Sequence, residues 1–197
     1  MRIAIASLLG PLAACSIVAP APAPLNVFDL GPATGEPPAV SSPIDLQITA
    51  AAELRTRDML YRHAADSGRL SSYAESRWAA PPALMLERHL LLLMSPQSAG
   101  QAPAKRVGVQ LLVFEQRFEQ GRSQAVVVAL ATLAAGTREC ARARFDVSEP
   151  AASADAPGGA QAFGRAARRL ADELGVWIGA NPECGAAEPA ASKRPSR

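Results

Sequence analysis

Three consecutive strand-like runs, "RVGVQLLVFEQRFE", "SQAVVVALATLA" and "CARARFDV", joined by short connections at Gly121 and Gly136, constrain this chain more than any other feature. In the first run Val107, Val109, Leu111 and Val113 share one face, the period-two signature of a half-buried strand. The middle run is apolar on both faces, which fits a strand with cover on both sides and places it at the centre of a sheet. In the third, Ala141, Ala143 and Phe145 alternate with Arg142 and Arg144. Such a meander has an apolar face that another layer must bury.

Two segments can supply that layer. The run "PPALMLERHLLLLMSP" opens with proline, which is pre-organised for a first helical turn, and closes at Ser95-Pro96. Its wide Leu/Met arc marks a well-buried helix. Further on, Asp155 can cap a helix in which Phe163, Ala167, Leu170, Leu174 and Trp177 recur at helical spacing, through Ile178. The order strands, helix, three strands, helix predicts an α+β fold, an antiparallel sheet with two main helices packed on one face. Upstream, "DLQITA" sets Leu46, Ile48 and Ala50 against Asp45, Gln47 and Thr49. The runs "RDMLYRHA" and "GRLSSYAESRWA" flank the turn-rich "ADSGR" as a β-hairpin that Pro81-Pro82 ends. On a regular strand Tyr73, Glu75 and Arg77 project to one side and Leu70, Ala74 and Trp78 to the other. Tyr and Arg offer large contact area with directional donors. Tyr61, Arg62, Tyr73 and Arg77 are therefore the candidate partner-binding residues, and Trp78, Pro81, Pro82 and Trp177 are expected to be structural.

The amino-terminal part is built differently. Residues 1–14 hold one cation, Arg2, and a mostly apolar stretch, the outline of a bacterial export signal. The stretch is shorter than the ~20 residues that span a bilayer. Leu12-Ala13-Ala14-Cys15 has the form of a lipobox, whose cysteine thiol takes a diacylglycerol before cleavage, so the mature chain is expected to start at lipidated Cys15. Two or three acyl chains, at ~0.8 kcal/mol per buried CH₂, anchor stably where one is marginal. Ser16 rather than Asp follows the cysteine, which favours the outer membrane. Residues 15–43 carry seven prolines and form an extended tether, in which only "NVFDLGP" has the apolar content to dock as an edge strand. Residues 44–184 then make a single domain, and 185–197 a disordered tail.

With Cys15 acylated, the three cysteines leave Cys140 and Cys184. An exported chain lives where disulfides persist, and a bridge would close about 45 residues, worth roughly 4 kcal/mol at most on the loop-entropy model. Strand alternation, however, groups Cys140 with Arg142 and Arg144, away from the apolar face, so a bridge and two unpaired thiols both remain open. The 20 Lys and Arg, less Arg2, leave 19 against 18 acidic residues, without the basic footprint of a nucleic-acid binder. His63 and His89 lack the spacing of a zinc site, Ser71 and Ser72 sit in no nucleophile elbow, and there is no phosphate-binding loop. No metal, cofactor or catalytic residue is expected, and any ATPase would be another subunit.

One ordered combination is more specific: Asp29-Leu30-Gly31-Pro32, Tyr61-Arg62, Tyr73, Arg77-Trp78, Pro81-Pro82 and Trp177, behind a lipobox. It resembles the ABC-type transport auxiliary lipoprotein family, PqiC type. The resemblance implies a non-enzymatic accessory lipoprotein of an MCE-type system that moves phospholipids between the two membranes of a Gram-negative envelope and supports envelope integrity. Held by its acyl chains on the periplasmic face of the outer membrane, it would dock the periplasmic MCE subunit, singly or as a homo-oligomer. The alternative is a periplasmic carrier that holds a phospholipid tail between helix and sheet, which needs an apolar cavity of several hundred Å³. Docking instead requires a filled core.

Overall fold

The computed structural model describes residues 24–36, 38, 43–94, 105–135 and 138–184. The export signal, Cys15, Ser95-Pro96, Gly136 and the tail lie outside them. In chain order the elements are β1 (Asn26–Phe28), β2 (Ile44–Ala50), a 3-10 turn (Ala52–Arg55), β3 (Asp58–His63), β4 (Asp66–Trp78), α1 (Pro82–Met94), β5 (Lys105–Glu119), β6 (Arg122–Ala135), β7 (Arg138–Pro150) and α2 (Ala156–Gly179).

The described strands form one seven-stranded sheet in the order β1-β4-β3-β5-β6-β7, with β2 also paired to β5. The α+β class agrees with the sequence reading, but the sheet is mixed rather than antiparallel. β2 and β3 lie one after the other along the same edge of β5, both parallel to it, from Ile44 opposite Lys105 to His63 opposite Phe118. The 3-10 turn between them advances the chain without reversing it. β1 adds a third parallel pairing, with Asn26 opposite Ser76 and Phe28 opposite Trp78 at the end of β4.

The β5–β6–β7 meander is antiparallel throughout. Its first turn has two residues, Gln120 and Gly121, both at positive φ (48° and 76°), the left-handed geometry that matches strand twist in a tight hairpin. On the helix side of β6, Ala125, Val127, Ala129, Ala131 and Leu133 are buried, while Val126 and Val128 are buried on the other face, as befits an interior strand. Small residues let α2 approach closely, with Ala160, Ala166, Ala167 and Ala171 all buried beside Phe163, Leu170, Leu174 and Ile178. Phe163 stacks on Phe114 with ring centroids 4.1 Å apart, and Trp78 meets both rings edge-on at 5.3 and 5.6 Å.

α2 lies across β6 and β7, and α1 packs beside it and against β2. α1 starts with buried Pro82, and the Pro81 carbonyl accepts from the amides of Leu84 and Met85. Glu87 Oε2 accepts from the Ile48 amide at 2.9 Å, so α1 also satisfies an edge that β2 would otherwise leave open.

Cys140 and Cys184 are disulfide-bonded, with Cα atoms 5.8 Å apart. The alternation that grouped Cys140 with Arg142 and Arg144 fails at this point. The β6–β7 register shifts between Leu133 opposite Ala141 and Ala134 opposite Glu139, leaving Cys140 as the extra residue. The bulge frees it from the polar face, and the bridge ties the end of α2 to the sheet. Lys105 Nζ donates to the Ile178 and Asn181 carbonyls at 3.3 and 3.1 Å, closing the helix terminus with a cation. Trp177 sits at the rim, half-buried and edge-on to Phe145 at 5.8 Å.

Candidate partner-docking surface

α2 starts at a fixed place because one buried amide holds it there. Asp155 caps the helix, its Oδ1 accepting from the Gly158 amide at 2.8 Å. The Ser153 hydroxyl, followed by the Gly158 amide, holds the Asp155 carboxyl below the usual carboxylate range. Gln116, 1 % exposed, donates from Nε2 to the Asp155 carbonyl at 3.1 Å and to Ser123 Oγ at 2.8 Å. Its Oε1 accepts from the Tyr73 hydroxyl at 2.9 Å. β4, β5, β6 and α2 thus meet at a single side chain. Gly159 passes directly above it, and a Cβ there would overlap the Gln116 amide oxygen.

Past Gln116, toward the hairpin turns, no described helix covers this face. Tyr61 lies opposite Gln116 and His63 opposite Phe118, so alternation puts all four on the same side. The Tyr61 ring meets Tyr73 at 4.9 Å, His63 at 5.5 Å and Phe118 at 5.7 Å, and His63 meets Phe118 at 5.1 Å. Tyr61, Tyr73 and Phe118 are half-buried and His63 is exposed. Burial, followed by the nearby Asp155 and Tyr61, pushes the Tyr73 phenol above its ordinary value, so it stays a donor to Gln116.

The reverse face of the same hairpins is polar. Arg62 and Arg117 bracket Glu115 at 3.1 and 2.8 Å, leaving the carboxylate 6 % exposed. Arg62 donates also to the Ser67 carbonyl. An open groove of about 930 Å³ runs there past Arg62, Arg117, Gln124 and Pro150, and a smaller one of about 340 Å³ lies against His63 and Phe118.

Of the four candidate contact residues, the structure therefore brings together Tyr61 and Tyr73 only. Arg62 is on the reverse face. Arg77 pairs with Asp58 at the far end of the hairpin, and Tyr73 does not share its face. The cause is a register shift from Asp58 opposite Arg77 to Leu60 opposite Ser72, which sets five steps of β4 against two of β3 and breaks the alternation. Sequence reasoning passed over His63 and Phe118. Their spacing from Tyr61 and Gln116 carries the signal, but only once β3 and β5 are known to be neighbours.

The "DLGP" segment is a docked strap. Asp29 Oδ1 accepts from the Gly31 amide at 2.8 Å, and Gly31 takes φ +72°. Leu30 is buried with its carbonyl against Gly164, where a Cβ would come within 2.5 Å of the oxygen. Arg168 donates to the carbonyls of Thr34 and Glu36 and pairs with Asp172 at 3.0 Å.

These features define a disulfide-tied α+β domain with a strapped-down amino-terminal segment and an aromatic surface at the sheet tip. The chain belongs to the family of ABC-type transport auxiliary lipoprotein components, whose model matches residues 29–175, from the first residue of the strap to the last turn of α2. It is thus a lipoprotein, of a kind held at a membrane of the cell envelope. In fold it is similar to a Xanthomonas campestris protein of the DUF330 family, at 21% identity over 80% of this chain and 99% of that one, with a TM-score of 0.65. It is also similar to an uncharacterized protein of known structure, at 12% identity over 79% and 99% of the two chains, with a TM-score of 0.61. No curated protein matches the sequence.

Proposed function

We propose that the protein is an outer-membrane lipoprotein, anchored through Cys15, that serves without catalysis as the docking subunit of an MCE-type ABC system moving phospholipids between the inner and outer membranes. In this reading the periplasmic MCE subunit binds at Tyr61, His63, Tyr73 and Phe118, and the link it completes supports envelope integrity. The observation that carries it is the half-exposed aromatic cluster on the sheet tip. Aromatic side chains are enriched at interface hot spots, and a surface already ordered through Gln116 loses little further entropy on binding. A carrier would need open apolar space between helix and sheet. That space is occupied by Phe114, Phe163 and Trp78 in mutual ring contact, which favours docking.

The test is co-purification of the full-length lipidated chain with its MCE subunit. Tyr61→Ala with Phe118→Ala is expected to weaken the complex by ~2 kcal/mol, roughly thirtyfold in Kd, while the circular dichroism spectrum is retained. An undiminished complex from the folded double variant moves the interface elsewhere. Phospholipid retained stoichiometrically by the purified protein would favour carriage.

A further inference from the structure

α1 carries an apolar stripe that its packing does not use. Met85, Leu86, His89, Leu90, Leu93 and Met94 are buried, whereas Leu84, Leu91 and Leu92 are 58%, 37% and 65% exposed. On a helix, positions 84, 88, 91 and 92 fall on one face. Arg88, also exposed and with no carboxylate partner among the described residues, therefore stands in the middle of the leucines.

Two observations indicate what covers this stripe. Eleven residue steps separate Cys15 from Asn26, a reach of at most ~40 Å fully extended, so β1 stays close to the membrane that holds the acyl chains. α1 begins at that same end of the domain. Ala79, three residues before Pro82, donates to the Phe28 carbonyl at 2.7 Å, and His89 shares an open groove of about 640 Å³ with Val27, Asp29 and Leu30. The chain enters through Leu25 and Val27, both half-exposed. The pattern of the stripe fits a phospholipid interface, where leucines enter the acyl boundary and an arginine lays its stem along them while its guanidinium reaches lipid phosphates.

We propose that α1 rests on the lipid surface through Leu84, Leu91 and Leu92, with Arg88 on the headgroup phosphates, so that the helix orients a domain the acyl chains only attach. The inference rests on the lipoprotein reading, and the experiment separates the two. The full-length lipidated chain is incorporated into phosphatidylethanolamine and phosphatidylglycerol vesicles. With Cys15 acylated and Cys140 bonded to Cys184, Leu92→Cys offers one thiol for an environment-sensitive fluorophore, and Arg144→Cys on the opposite face of the sheet is the control. The label at position 92 is expected to be quenched severalfold more strongly by bromine-bearing lipids than the label at 144, and to be shielded from aqueous iodide. Leu84→Gln with Leu91→Gln should remove that difference while thermal unfolding confirms the fold. Equal lipid quenching at both positions in protein that floats with the vesicles overturns the proposal and leaves the anchor intact. Shielding from iodide without lipid quenching also overturns it, since a protein then covers the stripe. Wild-type protein that fails to float breaks the anchoring reading and the proposal together.

Discussion

The two ends of the helix-side face use the same kind of side chain for opposite purposes. Beneath α2, Phe114, Phe163 and Trp78 are sealed from water and stack or meet edge-on. Past Gln116, Tyr61, His63, Tyr73 and Phe118 make ring contacts of similar length with part of each ring in solvent. What separates them is where α2 stops, and that is set by the Asp155 cap and by the amide beneath it. Ring clusters are thus sealed core or open surface according to what ends above them.

Four measurements would break or sharpen that contrast. The largest effect is expected from Phe163→Ala, which empties the sealed end and should cost ~3–5 kcal/mol in a urea titration; a loss under about 1 kcal/mol would mean the covered end is not the stability centre. Next, Gly159→Ala forces a methyl onto the Gln116 oxygen and should cost ~1–3 kcal/mol by overpacking, because the boundary itself is displaced. Unchanged stability would show that the boundary yields freely. Phe118→Ala, at the open end, is expected to cost only about 1 kcal/mol, and a loss equal to that of Phe163→Ala would erase the distinction.

The smallest effect is on pH dependence. Burial, then the neighbouring Arg88, holds the His89 pKa below its ordinary value, with Asp29 opposing and Arg168 adding to the depression. The unfolded chain then takes up the proton at a higher pH than the folded one. The neutral histidine's contribution is therefore present above ~6.5 and is lost as pH falls through the unfolded value toward the folded one. Melting temperatures followed from neutral to mildly acidic pH should fall more in wild type than in His89→Gln; parallel curves would place the titration elsewhere.

Both helices, the three-strand meander and the Gly121 turn were legible because helical period, strand alternation and turn chemistry are local. Alternation put Cys140 and Tyr73 on the wrong face for one shared reason. Each lies within an irregularity in pairing, where extra residues turn the alternation over. Such irregularities depend on the partner strand, which local pattern does not reveal. The parallel course of β2 and β3 along β5 was hidden in the same way, since turn signals report only on consecutive strands. Half of the candidate site went with it. Tyr61 and Tyr73 stand out by residue type, whereas His63 and Phe118, distant in sequence and 5.1 Å apart in space, are joined only by that pairing.

The short strap also sets how the domain takes a mechanical load. β1 runs parallel to β4, and beyond it Leu30 is seated on Gly164 and Arg168 grips two carbonyls of the following turn. Tension arriving from the amino-terminal side pulls along the strand axis, so the β1–β4 hydrogen bonds are sheared together instead of being peeled one by one. The parallel register sends the chain upstream of Asn26 toward Tyr73, so that axis points to the aromatic tip, which begins three residues from Ser76 and extends to His63 opposite Asp66, ~35 Å on at ~3.3 Å per residue. A load between the anchor and a partner at the tip would pass through β1, β4 and β3, while β6, β7 and the Cys140–Cys184 bridge lie outside its path.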